Sequence, residues 1–498
     1  MNVRIRHLAV VFIVLYAVLF VQLNRWQVFG RDALVSDPRN NRVTVRSFNA
    51  TRGPIVTADG VAIANTVKVD TVAHPNDRFQ FQRNYPTGDL FANISGYYTL
   101  GFGATQLERV YTDILAGSDP RQQVNNVGDL FSGADLSGSV HLTVRNDLQN
   151  VAKQALADRE GSAVVLDPRT GAVLAMYSNP TFDPNEVAQH NSTAASAVLT
   201  ALQDDPRKPL LANAYQERYM PGSAFKVLTT SIGIEAGVLN MLSTFPNADK
   251  WVPPNTDNPI QNYGKKICGG DLAEVFRRSC NIPFAQTAVM LGPQVMSDGL
   301  AKFGMEKTIP FDLPGATAST FGGTAESFTD SLALLAIHGF GQGSVQMVPL
   351  HMAAIAGAVA NGGVMMTPHV VADTRTHDDV VLNRTQPTPW TTPMTPATAS
   401  TLTQLMVGVV NDGTASCCLK LQNGVQAAAK TGTAQLNAEG KKQRSHAWII
   451  AFAPAAAPRV AVAVMLKGVN DTISAGTGGK LAGPVAQALL NAALRVIP

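Results

Sequence analysis

An unbroken apolar run lies near the N-terminus of the chain. The residues from Leu8 to Val21 are all apolar, and the span from Leu8 to Phe29 is near the ~20 residues with which a helix crosses a bilayer. Three basic residues, Arg4, Arg6 and His7, precede the run. By the positive-inside rule they stay in the cytoplasm while the remainder of the chain is exported. The pattern therefore predicts a single-pass membrane anchor.

A cleaved signal peptide is the alternative, because its apolar region has a similar length. However, no small-x-small cleavage site follows the run, where the sequence Asn24–Gln27 stands instead. Trp26 and Phe29 also fit the aromatic belt at the exit side of a membrane. We therefore favour an uncleaved anchor over residues 1–30, with the rest of the protein outside the cytoplasm.

The next segment, residues 31–155, is mixed and rich in loops. Val43–Ser47 and Ile55–Thr57 alternate in the manner of strands. Gln106–Leu115 has the i, i+3, i+4, i+7 apolar spacing of an amphipathic helix. Since this segment carries no catalytic constellation, we interpret it as a non-catalytic pedestal or dimerisation-type module.

Residues 156–498 have the pattern of an α+β domain. Two apolar runs around an Asp-Pro-Arg-Thr-Gly turn predict a hairpin over residues 161–178. Three further strands and a closing helix are predicted, in chain order, at 425–429, 446–453, 460–466 and 481–496. Together these strands predict one antiparallel sheet, with the mostly helical residues between them packed beside it.

Composition narrows the function classes. The chain has 498 residues, of which 45% are apolar and 15% charged, so it can bury a substantial core and is not disordered. Its net charge of +3 does not indicate nucleic-acid binding. The four cysteines form neither a CxxC pair nor a Cys/His zinc spacing, which argues against a zinc site. No cofactor is expected. In an exported protein an even number of cysteines is compatible with disulfides.

Pro221-Gly-Ser-Ala-Phe-Lys226 opens a long apolar stretch that predicts a buried helix. Ser223 and Lys226 stand at i and i+3, so their side chains share one helical face. A desolvated lysine with a lowered pKa can take the proton of a serine placed in this way. The spacing by itself is weak, because it occurs by chance in a chain of this length and is equally typical of a surface helix.

Two further motifs make the catalytic interpretation of Ser223 and Lys226 much more specific. Ser279-Cys-Asn281 follows a short amphipathic segment over 272–278, and Lys430-Thr-Gly-Thr433 follows the strand predicted at 425–429. With Ser223-x-x-Lys226 they stand in the order that penicillin-recognising enzymes use. On these motifs, residues 156–498 resemble the transpeptidase domain of class B penicillin-binding proteins, and the preceding residues resemble their anchor and pedestal.

Supporting motifs extend the resemblance over nearly the whole chain; they are Thr51-Arg-Gly-Pro-Ile55, Gln106-Leu-Glu108, Phe182-Asp-Pro-Asn185, Gly341-Gln-Gly343, Pro349-Leu350 and Ala360-Asn-Gly-Gly363. The short pedestal, and the end of the chain after the closing helix, are most similar to the actinobacterial penicillin-binding protein A group within this class. The resemblance implies the penicillin-recognising serine transpeptidase fold. That fold has a five-stranded antiparallel sheet with helices on both sides and an all-helical subdomain.

The resemblance also implies a peptidoglycan D,D-transpeptidase that is inhibited by β-lactams. Ser223 is expected to attack the carbonyl between the two terminal D-alanines, with Lys226 as general base. Ser279 is expected to relay the proton to the departing D-alanine. The backbone N–H groups of Ser223 and Thr433 are expected to bind the oxyanion.

The remaining motif residues are expected to bind substrate. By resemblance, Asn281 holds the donor peptide's amide, and Lys430 supplies positive charge near the substrate carboxylate. Thr431 and Thr433 bind that carboxylate, while Gly432 lets the substrate backbone approach closely. The expected ligands are therefore peptidoglycan stem peptides and β-lactam antibiotics.

Other functions compatible with this site remain open. A D,D-carboxypeptidase or a β-lactam hydrolase would transfer the acyl group to water, and a sensor or a catalytically silent divisome scaffold would not turn over. The anchor and pedestal favour the transpeptidase, because soluble hydrolases need neither. No glycan-polymerising domain precedes residue 156, so a separate membrane-embedded glycan polymerase is the expected partner, together with proteins of the cell-division machinery.

Other candidate groups have simpler interpretations. His446 follows Lys430, but a Ser-His-Asp triad would need a third group that the sequence does not reveal, so a packed histidine at the start of a strand is favoured. Lys441, Lys442 and Arg444 form a basic cluster between two predicted strands, which is typical of a solvated hairpin tip, although contact with a polyanionic wall is an alternative.

The positions of the four cysteines predict how they pair. Cys280 is the middle residue of the Ser279-x-Asn281 motif, and a bond to Cys268 requires that Cys268 double back along the intervening helix. The pair Gly269-Gly270 makes such a reversal easy, in what we predict to be a turn. Cys417 and Cys418 are adjacent and are expected not to bond to each other, so either is a rival partner. We predict a Cys268–Cys280 disulfide that holds Ser279 and Asn281 in register.

Overall fold

The computed structural model describes residues 2–25, 41–70, 72, 75–122, 135–437 and 444–497. The expected aromatic belt at Trp26 and Phe29 and the lysines of the basic cluster, Lys441 and Lys442, lie outside these residues. The chain forms two compact units: Met1–Thr51 with Thr66–Gln82, and Arg52–Asn65 with Arg83–Pro498.

The helices are α1 (Asn2–Asn24), α2 (Asn41–Phe48), α3 (Ala92–Ser95), α4 (Gln106–Val110), α5 (Thr112–Leu115), α6 (Asn146–Leu156), α7 (Pro184–Ala188), α8 (Ser192–Asp204), α9 (Lys226–Glu235), α10 (Leu272–Arg278), α11 (Ile282–Lys302), α12 (Ala325–Thr329), α13 (Leu332–His338), α14 (Pro349–Ala360), α15 (Pro396–Asp412), α16 (Asp471–Ala475) and α17 (Gly478–Val496). Short 3-10 helices cover Gly88–Phe91, Gly222–Phe225, Tyr263–Lys265 and Gln422–Gly424.

The strands are β1 (Ile55–Val56), β2 (Ala62–Lys68), β3 (Phe81–Asn84), β4 (Tyr98–Thr99), β5 (Gly103–Ala104), β6 (Ser139–Leu142), β7 (Gly161–Leu166), β8 (Val173–Asn179), β9 (Thr244–Ala248), β10 (Lys250–Trp251), β11 (Ile260–Gln261), β12 (Cys268–Asp271), β13 (Met365–Met366), β14 (Val371–Arg375), β15 (Val381–Arg384), β16 (Pro389–Thr391), β17 (Ala428–Gln435), β18 (Ser445–Ala453) and β19 (Val460–Leu466).

The smaller unit begins with α1, which is long and apolar enough to cross a membrane. Its described apolar side chains are exposed, as expected of a helix that faces lipid. The strand predicted at Val43–Ser47 is wrong, because these residues lie in α2. Alternation over five residues does not separate a strand from a short helix. Within α2 the half-buried Val45 and the buried Phe48 are three residues apart, on one helical face.

The larger unit contains the predicted five-stranded antiparallel sheet, in the order β17-β18-β19-β7-β8. Helices α6 and α17 pack on one face, and α14 packs on β18, β19 and β7. Strands β18 and β19 are buried along their whole length, which explains their near-continuous apolar sequence. The fold class predicted from the sequence is therefore confirmed, with the N-terminal hairpin and the three C-terminal strands in one sheet.

A second sheet has the order β15-β14-β6-β1-β2-β3. Strand β1 pairs with β6 in parallel, and β14 pairs with β6 in antiparallel fashion. Strands β14 and β15 come from residues 371–384, far along the chain. The pedestal segment and the catalytic segment thus share a sheet, an arrangement that no local pattern reveals.

An ion cluster with almost no solvent exposure lies in the pedestal part of the larger unit. The carboxylate of Glu108 accepts one hydrogen bond from Arg52 Nε and one from Arg83 Nε, each at 2.6 Å. Glu108 is fully buried, and its two partners are buried as well. Burial opposes ionisation, but the guanidinium groups of Arg83 and Arg52 prevail and hold the pKa of Glu108 below its ordinary value. The sequence motifs that contain Arg52 and Glu108 are therefore joined by a buried ion pair.

Candidate active site

The Ser-x-x-Lys motif lies where a 3-10 turn, Gly222–Phe225, leads into α9. Gly222 has φ +55°, and a Cβ atom there would lie 2.5 Å from the Thr433 carbonyl oxygen, so only glycine fits this turn. The Gly222 N–H donates to Gly341 O at 2.9 Å. Ser223 lines the cleft beside this turn. Within the described part of the chain its hydroxyl has no hydrogen-bond partner, which leaves Oγ available to an incoming group.

The Ser279-x-Asn281 motif connects α10 to α11. Asp271 caps the start of α10 by accepting a hydrogen bond from Glu274 N at 2.7 Å. Ser279 ends the helix in the left-handed region at φ +60°, and Asn281 precedes the first turn of α11. Such a conformation is uncommon for a residue other than glycine and is held by the surrounding structure. The turn directs both side chains of the motif to the cleft.

The Lys-Thr-Gly-Thr motif lies inside β17 and not after it. The strand begins at Ala428, three residues later than predicted, and continues to Gln435 because the motif pairs throughout with β18. A Cβ atom on Gly432 would lie 2.4 Å from Pro221 O. The glycine is thus required by the close approach of β17 to the serine turn, a reason that the sequence did not reveal.

Lys226 is fully buried at the centre of the site. Its Nζ donates to Ser279 O at 2.8 Å, to Cys280 O at 2.7 Å and to Asn281 Oδ1 at 2.9 Å. Burial, together with the positive charge of Lys430, lowers the pKa of Lys226 well below its ordinary value. Lys226 therefore gives up a proton more easily than an ordinary lysine, and its role as the base for Ser223 stays a prediction.

Lys430 is also fully buried, and its Nζ lies 2.7 Å from Ser279 Oγ. It is 5.7 Å from the centre of the Phe276 ring, within range of a cation–π interaction. Burial lowers the pKa of Lys430 to about 7. Both lysines therefore contact Ser279: Lys430 bonds to its hydroxyl, and Lys226 bonds to its carbonyl oxygen and lies 3.5 Å from the same hydroxyl.

The amide of Asn281 is held by the protein at both ends. Oδ1 accepts from Lys226, and Nδ2 donates to Gln261 O at 3.1 Å. One amide hydrogen and one lone pair remain for a ligand. The backbone N–H of Asn281 donates to Asn262 Oδ1 at 2.8 Å, which further fixes the turn.

All three motifs line one cleft of about 420 Å³. Its rim carries several basic side chains besides the buried lysines, namely Lys266, Arg277, Arg278 and Lys480. Asp412 is the acidic residue among the lining residues, and it forms an ion pair with Arg277. The excess of positive charge favours an anionic ligand.

Several lining residues were not predicted from the sequence. Gln342 donates to Thr433 O at 3.4 Å and belongs to a motif that was noted without a role. Thr414 and Thr477 also line the cleft, and Thr414 Oγ1 lies 2.6 Å from Thr431 Oγ1. Both threonines lie in loops with no recognisable motif, so only the folded structure brings them to the site.

The structure contains a disulfide between Cys268 and Cys280, with Cα atoms 5.8 Å apart. Cys268 begins β12, so the predicted turn at Gly269-Gly270 is wrong. These glycines lie in the strand, where a Cβ on Gly269 would lie 2.5 Å from Pro246 O. Cys280, which carries one of the carbonyl acceptors of Lys226, is thereby tied to an adjacent strand.

The expectation that Cys417 and Cys418 do not bond to each other is wrong. They form a disulfide, with Cα atoms 3.8 Å apart, in the turn that follows α15. Adjacent residues always satisfy the distance limit of about 7 Å for a disulfide, and this turn brings the two sulfur atoms together. Neither residue is therefore a partner of Cys268 or Cys280. Cys417 lines the cleft.

Three histidines, His338, His351 and His446, belong to the packed interior. His338 and His351 are fully buried, and burial lowers the pKa of each to about 4. His446 is buried near the start of β18, where its Nδ1 accepts from Gly468 N at 3.0 Å. Each is best described as a neutral core histidine.

Comparisons with known proteins show the family to which the chain belongs. The penicillin binding protein transpeptidase domain model matches residues 161–491, and the penicillin binding protein A dimerisation domain model matches residues 52–140. The peptidoglycan D,D-transpeptidase PbpA of Mycolicibacterium smegmatis is 36% identical over 505 residues, which cover 99% of each chain. PbpA of Mycobacterium tuberculosis is 36% identical over 511 residues, which cover 100% of each chain.

Solved structures give the same result. Penicillin-binding protein A from M. tuberculosis, as a ceftriaxone acyl-enzyme complex, superposes with a TM-score of 0.83 at 33% identity, covering 90% of this chain and 100% of that chain. Its penicillin G acyl-enzyme complex gives a TM-score of 0.81 at 34% identity, covering 89% and 100%. Since the transpeptidase model spans more than half of the chain and the mycobacterial relatives match it from end to end, this chain belongs to the class B penicillin-binding proteins.

Proposed function

We propose that this protein is a peptidoglycan D,D-transpeptidase that acts through an acyl-enzyme on Ser223. One observation carries the assignment. The Ser-x-x-Lys, Ser-x-Asn and Lys-Thr-Gly-Thr motifs line a single cleft, and the two buried lysines, Lys226 and Lys430, both bond to Ser279. The mycobacterial relatives that carry this activity in their names support it over the full length of the chain.

The proposed acylation begins at Ser223. Its Oγ attacks the carbonyl carbon between the terminal D-alanines, while neutral Lys226 takes the hydroxyl proton. The oxyanion that forms is bound by the backbone N–H groups of Ser223 and Thr433. As the C–N bond breaks, Ser279 passes its hydroxyl proton to the departing D-alanine and takes from Lys226 the proton that came from Ser223, so that Lys226 is neutral again. The charge of Lys430 holds the Ser279 hydroxyl in place for this transfer.

Deacylation completes the reaction. An amine of a neighbouring stem peptide attacks the ester carbonyl carbon and loses a proton to neutral Lys226. The bond from the acyl carbon to Ser223 Oγ then breaks, Oγ receives that proton, and a new peptide bond is left on the stem. In this proposal Thr431 and Thr433 bind the terminal carboxylate of the donor, and the remaining amide hydrogen of Asn281 binds its backbone. The positive rim of the cleft supports a ligand of this charge.

The alternative acceptor is water, which would make the protein a carboxypeptidase or a β-lactam hydrolase. A membrane anchor favours the transpeptidase, because cross-linking takes place at the membrane surface where new stems arrive. Helix α1 supports anchoring by its length and apolar character. We propose that the N-terminus is cytoplasmic and that the catalytic segment lies outside the cytoplasm.

The division of the chain is part of the same proposal: an anchor over residues 1–30, a pedestal over 31–155, and a transpeptidase segment over 156–498. The ranges matched by the two family models support it. A membrane-embedded glycan polymerase and proteins of the division machinery are the proposed partners, since neither matched model is a glycan-polymerising domain.

Incubation of the full-length protein with a fluorescent penicillin, followed by intact mass, tests the assignment. We expect one adduct, on Ser223, that disappears in Ser223→Ala. Lys226→Ala should slow its formation about 100- to 10,000-fold through loss of the base. Transfer of a stem-peptide acyl group to an added amine, and not only to water, distinguishes the transpeptidase from the hydrolases. An adduct on another serine, or hydrolysis alone, would contradict the proposal.

A further inference from the structure

Two hydroxyl groups of β17 face the cleft, and each has a polar group behind it. Thr433 Oγ1 accepts a hydrogen bond from the Gly478 N–H, at 3.2 Å, at the start of α17. Thr431 Oγ1 lies 2.6 Å from Thr414 Oγ1. Thr431 and Thr433 are two residues apart on one strand, so their side chains lie on the same face.

The direction of these bonds decides what the hydroxyls can do next. A hydroxyl has one hydrogen to donate and two lone pairs with which to accept. Because the partner of Thr433 is an N–H group, Thr433 accepts and keeps its own hydrogen for a ligand. Thr431 likewise keeps its own hydrogen for a ligand if Thr414 is the donor in the bond between the two hydroxyl groups. Both threonines then direct O–H groups into the cleft, where an anion would receive two hydrogen bonds.

Thr414 is held in place by both walls of the site. Its backbone N–H donates to Arg277 O at 3.3 Å, at the end of the helix that carries Ser279. A Cβ atom on Gly479 would lie 2.2 Å from Thr414 O, so the start of α17 packs directly on its backbone. The Cys417–Cys418 disulfide lies in the same turn. The Thr414 hydroxyl therefore reaches Thr431 from a fixed support and not from a freely moving loop.

We propose that Thr414 is a positioning residue that donates its hydroxyl hydrogen to Thr431 and so directs the Thr431 hydroxyl to the terminal carboxylate of the donor. This rests on the proposed function, in which Thr431 and Thr433 bind that carboxylate. Thr414 thereby increases the preference of the enzyme for ligands with a free carboxylate. Ligands in which this group is esterified gain nothing from it.

Two matched ligands and three variants test the proposal. The ligands are benzylpenicillin, which has a carboxylate, and its methyl ester, which has none. The variants of the full-length protein are Thr414→Val, which has the same shape but no hydroxyl, Thr414→Ser, which restores the hydroxyl, and Thr403→Val. The last is a control. Among the residues that the structure describes, the Thr403 hydroxyl bonds only to Ala399 O, at 2.9 Å within α15, and Thr403 is not one of the described lining residues of the cleft.

The readout is the second-order rate constant of Ser223 acylation, followed by intact mass, with the melting temperature as a check on folding. Thr414→Val should lower the constant for benzylpenicillin about tenfold, as expected from one lost hydrogen bond to a group that binds an anion. The constant for the ester should be unchanged, and Thr414→Ser should recover the benzylpenicillin value. Thr403→Val should match the wild type for both ligands.

The outcomes separate the two proposals. If the wild type forms no adduct on Ser223, the proposed function fails. If the wild type is acylated and Thr414→Val has no effect, or slows both ligands equally, Thr414 does not act through the carboxylate and the inference is overturned. A Thr414→Val protein that fails to fold is recognised by its melting temperature. The Thr414→Ser protein is then used for the decision. If Thr414→Ser reacts faster with the ester than with benzylpenicillin, the proposal is contradicted.

Discussion

The ammonium nitrogen of Lys430 lies 2.7 Å from the hydroxyl oxygen of Ser279. Lys226 approaches the same residue at its carbonyl oxygen, at 2.8 Å. Two fully buried positive charges so close together repel each other, so the active state is expected to hold one lysine neutral and the other charged. Lys226 suits the neutral role because the charge of Lys430 is among the causes that lower its pKa.

This relationship predicts a bell-shaped pH dependence of acylation. The rate should rise with pH as Lys226 loses its proton and becomes a base, and it should fall as Lys430 loses its charge near its pKa of about 7. The two limbs report apparent pKa values of the pair, since the groups interact. Acylation by a fluorescent penicillin, measured across this range under single-turnover conditions, gives the profile.

Lys430→Arg isolates the alkaline limb. Arginine stays charged throughout the accessible range, so the fall above pH of about 7 should disappear even if the maximal rate is lower. A variant profile whose alkaline limb is unmoved would assign that limb to a group other than Lys430. The acid limb should remain, because Lys226 is unchanged.

The three motifs were predictable because each is local. A 3-10 turn that leads into a helix carries Ser223 and Lys226, and a turn after a helix presents Ser279 and Asn281 together, so short spacings carry the chemistry. The alternation and length of apolar runs likewise predicted all five strands of the main sheet, although the strand carrying Lys430 begins later and extends further than its apolar residues suggest. Polar motif residues within a strand conceal its extent.

The features that were not predictable depend on contacts between distant segments. Thr414 meets Thr431 only after α15 and β17 pack side by side, and β14 joins the pedestal sheet from the far end of the chain. The bond between Cys417 and Cys418 depends on the local turn, which residue types alone did not define. For Thr414 and β14 tertiary structure, and not local propensity, places the residues, whereas the Cys417–Cys418 bond is a local exception.

The Cys268–Cys280 disulfide is predicted to support catalysis by fixing the carbonyl acceptor of Lys226 at Cys280. Replacing both cysteines by alanine should slow acylation of Ser223 and lower stability by about 2–3 kcal/mol, the usual effect for a short loop. Acylation kinetics and thermal unfolding measure the two effects. Peptide mapping without reductant should recover Cys268 linked to Cys280.

A second variant separates the two disulfides. With Cys417 and Cys418 both replaced by alanine, added reductant acts only on the Cys268–Cys280 bond. Reductant should then slow acylation to the rate of the variant that lacks Cys268 and Cys280. An unchanged rate, or a map in which Cys280 is a free thiol, argues against the role.

The membrane topology gives another prediction. A reporter that is active only outside the cytoplasm, fused after Pro498, should be active in cells, because the positive residues before Leu8 keep the N-terminus inside. The N-terminal residue of the purified protein should still precede Leu8. Recovery of a mature N-terminus near residue 25 would show instead that the apolar run is a cleaved signal peptide.

The buried carboxylate of Glu108 is predicted to stabilise the pedestal. Glu108→Gln removes the carboxylate that forms an ion pair with each of the buried guanidinium groups of Arg52 and Arg83, at a cost of about 3–5 kcal/mol. Because the folded state holds the pKa of Glu108 below its ordinary value, its contribution is complete above that ordinary value and is lost as the pH falls through the lowered one. The melting temperature of the wild type should therefore fall at acidic pH by an amount that the variant does not show.

The matched control for Glu108 is Glu326→Gln, which removes an exposed carboxylate from the first turn of α12. Its melting temperature should change little, since an exposed charge near a helix end contributes at most about 1 kcal/mol. Below its melting temperature the Glu108→Gln protein should still label at Ser223, because the cluster does not line the cleft. Equal melting temperatures for the two variants would mean that the guanidinium groups find other partners or water, and that the cluster is not what stabilises the pedestal.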